Sequence, residues 1–483
     1  MSRRGKPRET KIPEANCAMG PGTQTPLCSG PGTAFKEEQN QKIKKEQKPK
    51  KREQKRPEHT NETSVPDVKT ESACIKTKKG TSTSTSPEHL TDEKPQHRQP
   101  ETPKGATKVP VPQSNIGQKA DVDKILSTTL TKLKIKRKDR AEAAHLINGI
   151  IKNIMDYLNK NTECFKDVQD LRTGSYYENL KISNPDEFDV MLTVPISRVD
   201  IQPFTDDGAF YSVALKRGKT PLDKFRKENN TISGSEILHE FRNEVKKCVK
   251  KTEYVEVEKK KMGCPAVTLL VTGPGSVTLS LDVVLALEVR TCWPHFTKEG
   301  FKIEGWLGRK VKQECKGKPY YLVPKYQGRG ARECHGVLAK DTWRISFSHV
   351  EKAIMKNHGS EKTCCEENGA RCCRKDCLKL LKHLLSLLKT KDSSFDKFCS
   401  YHVKTILLHA CCSRTKDTDW KASHLTQCFL LLLENFESHL RDQDLPNFFI
   451  PTQNLLLGPS PKSCILLADR IKEERENGFP IFS

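Results

Sequence analysis

The first 120 residues lack nearly everything a folded core requires: they hold one aromatic residue, Phe35, and neither Trp nor Tyr. Runs such as Lys42-Ile43-Lys44-Lys45-Glu46-Gln47-Lys48-Pro49-Lys50-Lys51-Arg52 and Thr81-Ser82-Thr83-Ser84-Thr85-Ser86-Pro87 have too little apolar surface to offset the entropy of ordering a chain. A disordered basic tail is expected over 1–120. Nowhere does an apolar run approach the roughly 20 residues of a membrane span. The opening Met1-Ser2-Arg3-Arg4-Gly5-Lys6 lacks the apolar stretch of a secretory signal, so an intracellular, soluble protein is expected. No internal repeat of a solenoid period is present either. Acidic residues are the other shortage, with 84 Lys+Arg against 61 Asp+Glu and a net charge of +23 on 483 residues. The tail holds 24 basic and 14 acidic residues, which leaves 60 and 47, or +13, on 121–483. Excess positive charge on both parts argues for a polyanionic partner, nucleic acid first and membrane phospholipid second. In a reducing compartment the 19 cysteines form no disulfide framework, so their clustering matters more than their number.

Against that background Gly174-Ser175, followed after eleven residues by Glu187-Phe188-Asp189-Val190, carries the chemistry. Over 187–194 Phe188, Val190, Leu192 and Val194 alternate with Glu187, Asp189, Met191 and Thr193, which predicts a strand with one apolar face. Carboxylates at i and i+2 project from the same face of such a strand, placed to grip one or two Mg²⁺ ions. A Gly-Ser turn can offer N–H groups and a hydroxyl to phosphate oxygens. A two-metal site usually needs a third carboxylate. Asp282 is the best candidate, inside the apolar pattern 277–287, whose partner strand is 267–272 across Gly273-Pro274-Gly275. A carboxylate there is costly to bury alone and a cation is its natural partner. For any single acid the blander alternative is a strand-end residue paired with a lysine; for the set, a nucleotide-triphosphate site is the stronger reading.

Residues 121–161 read as one long helix or two continuous ones, with Ala143, Leu146, Ile147, Ile150, Ile154 and Leu158 as an apolar stripe. Residues 174–290 alternate strands and short helices, with further strands near 210–215 and 252–258, and beyond Arg290 the pattern turns mainly helical. Helices are expected at 377–389, on Leu378, Leu381, Leu385 and Leu388, and at 425–440, on Phe429, Leu432, Leu433, Phe436 and Leu440. From His358 through Cys364-Cys365 and Cys372-Cys373 to Cys377, six candidate metal ligands fall within twenty residues. Zn²⁺ takes four such ligands, and spacing alone does not select which. Free cysteines are usually buried, so in a segment this polar metal binding is expected.

Thr173-Gly174-Ser175-Tyr176-Tyr177-Glu178, Glu187-Phe188-Asp189-Val190, Asp282, Tyr321-Leu322-Val323-Pro324-Lys325, Trp343-Arg344-Ile345-Ser346-Phe347-Ser348-His349 and the His-Cys-Cys-Cys insertion together resemble the cyclic GMP-AMP synthases, cytosolic DNA sensors of the nucleotidyltransferase superfamily. The Gly-Ser and acid-x-acid signature alone points to that wider superfamily, with its oligoadenylate synthases and poly(A) polymerases. The insertion narrows it. The resemblance runs from about residue 122 to the C-terminus. It implies an α+β fold: a long N-terminal spine helix (121–161), a nucleotidyltransferase catalytic core (162–290) and a mainly helical C-terminal lobe (291–483) with a zinc insertion at 358–377. By the same resemblance Glu187, Asp189 and Asp282 hold two Mg²⁺ (or Mn²⁺) ions. Thr173, Gly174, Ser175, Lys325, Arg344, Ser346, Ser348, Glu351, Lys382, Ser400, Tyr401 and Lys404 contact nucleotides, with Tyr401 stacking on a base. His358, Cys364, Cys365 and Cys372 bind zinc, leaving Cys373 and Cys377 outside, while Lys134, Arg137, Lys352, Lys362, Arg371, Lys375 and Lys379 line a DNA surface. One departure is visible: 326–342 is longer than the family pattern leads one to expect.

The implied reaction joins ATP and GTP through a 2′-5′ and then a 3′-5′ bond into cyclic GMP-AMP, an innate immune second messenger, in the cytosol and nucleus. Double-stranded DNA is the implied activator, bound by a homodimer, and the tail is expected to contact nucleosomes or anionic membranes. Two competing readings are a template-independent polymerase of adenylates and a catalytically silent DNA or chromatin receptor of the same fold.

Overall fold

The computed structural model describes residues 114–483 apart from 217, 274–276, 327, 362–363 and 367–368. The expected tail up to residue 113, Pro274 and Gly275 of the expected turn, and Lys362 of the expected DNA surface lie outside the described residues. In chain order the elements are α1 (Ser114–Lys132), α2 (Arg137–Asn161), β1 (Gln169–Thr173), α3 (Gly174–Tyr177), β2 (Glu187–Ile196), β3 (Val199–Pro203), β4 (Tyr211–Leu215), α4 (Gly234–Val249), β5 (Val255–Val257), β6 (Ala266–Thr272), β7 (Thr278–Val289), α5 (Arg309–Lys316), β8 (Tyr320–Pro324), β9 (Glu333–Cys334), β10 (Val337–Leu338), β11 (Trp343–Ser346), α6 (Ser348–Lys356), α7 (Arg374–Lys391), α8 (Ser400–Ser413), α9 (Leu425–Asp442) and α10 (Pro461–Glu476).

Among the described residues nine strands form one mixed sheet in the order β1-β2-β7-β8-β11-β4-β3, with β6 also paired to β7 and β5 to β6. The twelve-residue β7 is its axis. It lies parallel to β2 from Glu187 opposite Ser280 to Ile196 opposite Val289, and antiparallel to β6 from Ala266 opposite Val284 to Thr272 opposite Thr278. An interior parallel strand is covered on both faces, and this corrects the one-faced reading of β2. Met191 and Thr193 are buried along with Phe188, Val190, Leu192 and Val194. Met191 packs with Ala286, Tyr321 and Val323. That face opens at its two ends, at Glu187 and Asp189 and again at Pro195. The sheet runs past residue 290, because β8 and β11 belong to it.

Residues 121–161 form two helices separated at Leu133–Lys136, and α1 begins at Ser114, inside the stretch read as tail. The two pack differently: α1 lies on α7 and α9, where the Thr426 hydroxyl donates to Asp123, and α2 lies on α4. Ala143, Ile147, Ile150, Ile154 and Leu158 of the expected stripe are buried, Ile151 joins them and Leu146 is half-buried. On α7 the buried face is wider than expected, adding Leu380 and Leu384. The expected inward residues of α9 are all buried. Among the described residues no helix is long and apolar enough to cross a membrane. The long 326–342 segment contains the β9–β10 hairpin, turning at His335 and Gly336, both at positive φ, as in a type I′ two-residue hairpin turn. Val337 and Ala339 seat it on Phe204 and Phe210 in a small apolar cluster.

Candidate active site and metal centre

The Gly-Ser turn is the first turn of the four-residue α3. Gly174 has φ +80°, and a Cβ there would overlap the Asp189 carboxylate, so only glycine lets the turn rest on that acid. Asp189 and Asp282 stand at the same register on the parallel β2–β7 pair, with Glu187 two residues before Asp189 on the same face. Each acid is held differently. Asp282 Oδ1 accepts the Thr268 hydroxyl at 2.6 Å from the neighbouring β6. Glu187 Oε2 takes the Lys181 ammonium at 2.7 Å, and the same ammonium lies 3.1 Å from Asp186 Oδ1. Among the described residues Asp189 makes no ion pair: burial, then the charges of Glu187 and Asp282, outweigh the more distant Lys181 and raise its carboxyl to about 6.

The residues implied to hold nucleotides divide between two clefts. One, of about 380 Å³, is lined by Thr173, Gly174, Asp189, Lys325, Arg344, Ser346, Ser348, Glu351, Tyr401 and Lys404. The other, of about 660 Å³, is lined by Ser175, Glu187, Lys382 and Ser400, together with Lys181. Adjacent residues of α3 therefore open onto different clefts. In the first, Arg344 Nε and Ser348 Oγ are buried with no protein partner, the mark of groups awaiting a ligand. The Arg344 guanidinium lies 5.0 Å from the centre of the Phe210 ring. Burial works against the Lys404 charge, but Glu351 and Glu178, at 2.7 and 2.8 Å, outweigh it and hold the ammonium above the usual lysine range. Burial and then Arg344 pull Lys325 below that range. Burial, with Lys181 and Lys404 nearby, brings Lys382 to about 8, and its Nζ donates to the Leu180 carbonyl at 2.8 Å.

Sequence reasoning gave no role to Glu178, Lys181 or Thr268. Thr268 could have been found from the β6–β7 hairpin, whose register puts it opposite Asp282. Lys181 shares a loop with Asp186, but spacing across a loop does not say which lysine closes on which acid.

The second centre lies in the helical half. Among the described residues, His358, Cys364, Cys365 and Cys372 form one set whose ligand atoms all come within 4.8 Å of one another. His358 is 2 % exposed, so the segment is less open than its composition suggests. Its Nδ1 bonds the Met355 carbonyl at 3.0 Å, while Nε2 is buried with no protein partner, and burial lowers the imidazole to about 4. A neutral ring with one nitrogen fixed and the other free is prepared for a metal. Cys365 Sγ lies 4.0 Å from Cys364 Sγ and 3.8 Å from Cys372 Sγ. Cys373 and Cys377 are outside this set; both are buried, and the Cys373 amide bonds the Trp420 carbonyl at 2.8 Å.

Of the residues implied to meet DNA, Lys134 and Arg137 are exposed where α1 meets α2, and Arg371 is exposed beside the cysteines. Lys375 and Lys379 are half-buried on one face of α7, with Lys379 3.8 Å from Asp376. Lys352 is engaged internally: its ammonium donates to the Arg172 carbonyl at 2.7 Å and lies 5.6 Å from the Tyr177 ring centre.

Comparison with known proteins agrees with this architecture. The Mab-21 protein nucleotidyltransferase domain matches residues 176–357, and the Mab-21 protein HhH/H2TH-like domain matches 373–473. The chain is 43% identical over 394 residues to the cyclic GMP-AMP synthase of Mus musculus, covering 80% of this chain and 75% of that one. It is 43% identical over 366 residues to that of Sus scrofa, covering 74% and 72%. A cyclic GMP-AMP synthase-like receptor of Magallana gigas is 27% identical over 302 residues, covering 59% of this chain and 47% of that one. With a nucleotidyltransferase domain carrying the acids and this identity over most of its length, the chain belongs to the cyclic GMP-AMP synthase family of nucleotidyltransferases.

Proposed function

We propose that this protein, when bound to double-stranded DNA, joins ATP and GTP into cyclic GMP-AMP with one 2′-5′ and one 3′-5′ linkage. The observation that carries the reading is the acid set itself: Asp189 and Asp282 level on parallel strands, with Glu187 on the same face, where the two clefts adjoin α3. Three carboxylates and no softer donor suit a hard divalent cation such as Mg²⁺ or Mn²⁺. Bound there, such ions neutralise charge on the triphosphate and lower the pKa of the attacking ribose hydroxyl. The chain's own residues position the reactants. Ser175, Lys382 and Ser400 line the cleft that receives the triphosphate, Tyr401 offers its ring to a base, and the unpartnered Arg344 Nε and Ser348 Oγ offer hydrogen bonds.

Three thiols and the free nitrogen of His358 suit Zn²⁺ in a closed structural site. Lys134, Arg137, Arg371, Lys375 and Lys379 contact DNA phosphates, which gives little sequence preference. A homodimer clamped on DNA, residence in the cytosol and nucleus, and contact of the basic tail with nucleosomes or anionic membrane complete the reading. The test is to incubate the protein with ATP, GTP and Mg²⁺, with and without duplex DNA, and to resolve the products. A cyclic dinucleotide that needs both nucleotides and DNA is the expected result. Linear oligomers from ATP alone would make the protein an adenylate polymerase, and DNA binding with no product would make it a silent receptor.

A further inference from the structure

Asp189 and Asp282 are level in the sheet, with Glu187 two residues before Asp189, but the three acids are not gathered. The His358 and cysteine set brings its ligand atoms within 4.8 Å of one another, and among the described residues Glu187, Asp189 and Asp282 form no such set. Glu187 faces the larger cleft and Asp189 the smaller, while Asp282 is turned to Thr268. The partner that holds Glu187 is Lys181. Its ammonium bridges Glu187 and Asp186 at 2.7 and 3.1 Å, and its side chain is only 13% exposed, against 55% for Glu187. An ion pair shielded on one partner is less screened than a surface pair. The loop that carries Lys181 is anchored next door, where the Leu180 amide donates to the Ser175 carbonyl and the Leu180 carbonyl accepts from Lys382, both at 2.8 Å. The ammonium therefore has a fixed base from which to hold one acid aside.

We propose that Lys181 is a built-in counter-cation that competes with the divalent metal for Glu187, so that opening of this ion pair favours metal binding at the acids. The proposal rests on the reading of Glu187, Asp189 and Asp282 as metal ligands. It makes Lys181 a positioning residue for the metal site, acting through Glu187. The ammonium at 2.7 Å neutralises the Glu187 carboxylate and holds it in the larger cleft, so a metal gains more from Glu187 once that pair opens.

The test reads metal binding rather than turnover: Mn²⁺ titration of the nucleotide-free, DNA-free full chain, with the His358 and cysteine site loaded with zinc, following free Mn²⁺ by electron paramagnetic resonance. Lys181→Met is expected to tighten Mn²⁺ binding at least about threefold, and Lys181→Arg, which keeps the pair, to match the parent. The deciding arm is a double-mutant cycle. Removing any nearby positive charge attracts a cation, but that general effect persists in a Glu187→Gln background, whereas competition for Glu187 vanishes there. Unchanged or weaker binding in Lys181→Met, or an equal gain in both backgrounds, overturns the proposal. Should no variant bind Mn²⁺ at all while thermal unfolding shows each folded, the metal-ligand reading falls and this proposal with it. A chain that binds Mn²⁺ as expected but joins no nucleotides refutes the proposed reaction and leaves the role of Lys181 standing.

Discussion

The two candidate metal-binding regions are built on opposite plans. The cysteine and histidine set is assembled, with ligand atoms within 4.8 Å and a histidine nitrogen that has no other partner. The acids are dispersed, two of them already occupied by Thr268 and Lys181. A closed site contributes its binding energy to folding and gains from being complete beforehand. A catalytic site must admit and release its ions and substrate, and gains from ligands whose present partners can be exchanged.

The sharpest way to break the contrast is at the acids. Asp189→Asn or Asp282→Asn should lower nucleotide joining by about a thousandfold, since the neutralisation removed amounts to several kcal/mol at the transition state. DNA affinity should stay nearly unchanged. Substantial product from the Asp189 variant, in a discontinuous assay at saturating DNA, would show that the acids are structural. At the other centre, Cys365→Ala should abolish zinc retention and reduce DNA-dependent activity about tenfold while the sheet still melts cooperatively. Elemental analysis finding equal zinc in variant and parent would refute the ligand set.

A third prediction uses the raised Asp189 carboxyl. It titrates at 3.8 when unfolded and at about 6 when folded without metal. Below about pH 4 it is protonated in both states and costs nothing; the cost of ionising it in place grows through the window and reaches about 3 kcal/mol above pH 6. Metal-free protein should therefore lose stability from pH 4 to 7 in urea unfolding, Asp189→Asn should flatten that slope, and Mn²⁺ should restore stability at pH 7. A slope identical in the variant would assign it to other groups. The smallest effect lies on α7. Lys375→Glu with Lys379→Glu should weaken DNA binding equally across unrelated sequences, each lost phosphate contact reducing the slope of log affinity against log salt by roughly 0.9. Because the acids lie elsewhere, activity should partly recover at saturating DNA; an unchanged slope would make this face a solvated helix surface.

Much of this was legible in the chain, for identifiable reasons. Alternation set β2, the β6–β7 hairpin pattern brought out β7, and the leucine and phenylalanine spacing of α7 and α9 marked their inward faces. Proximity in sequence made the six candidate ligands between His358 and Cys377 visible, while the choice of His358, Cys364, Cys365 and Cys372 among them came from the family resemblance. What stayed hidden depends on three-dimensional neighbours. Burial of both faces of β2 follows from its place beside β7, which no local period encodes. The division of α1 from α2 at Leu133–Lys136 sits in a run of lysines that disfavours neither one helix nor two. The partners of Glu187 and Lys352 come from loop closure and from a strand carbonyl, and pattern has no access to either.

The level placement of Asp189 and Asp282 also bears on how the protein is made. The acids sit on parallel strands far apart in sequence, and pairing them closes a long loop before any contact rewards the closure. A ribosome that has released α3 and β2 has delivered the Gly-Ser turn and two of the acids, yet the acid set is incomplete until β7 emerges and docks. Nascent chains and fragments broken ahead of β7 therefore lack Asp282 and the strand that sets it beside Asp189.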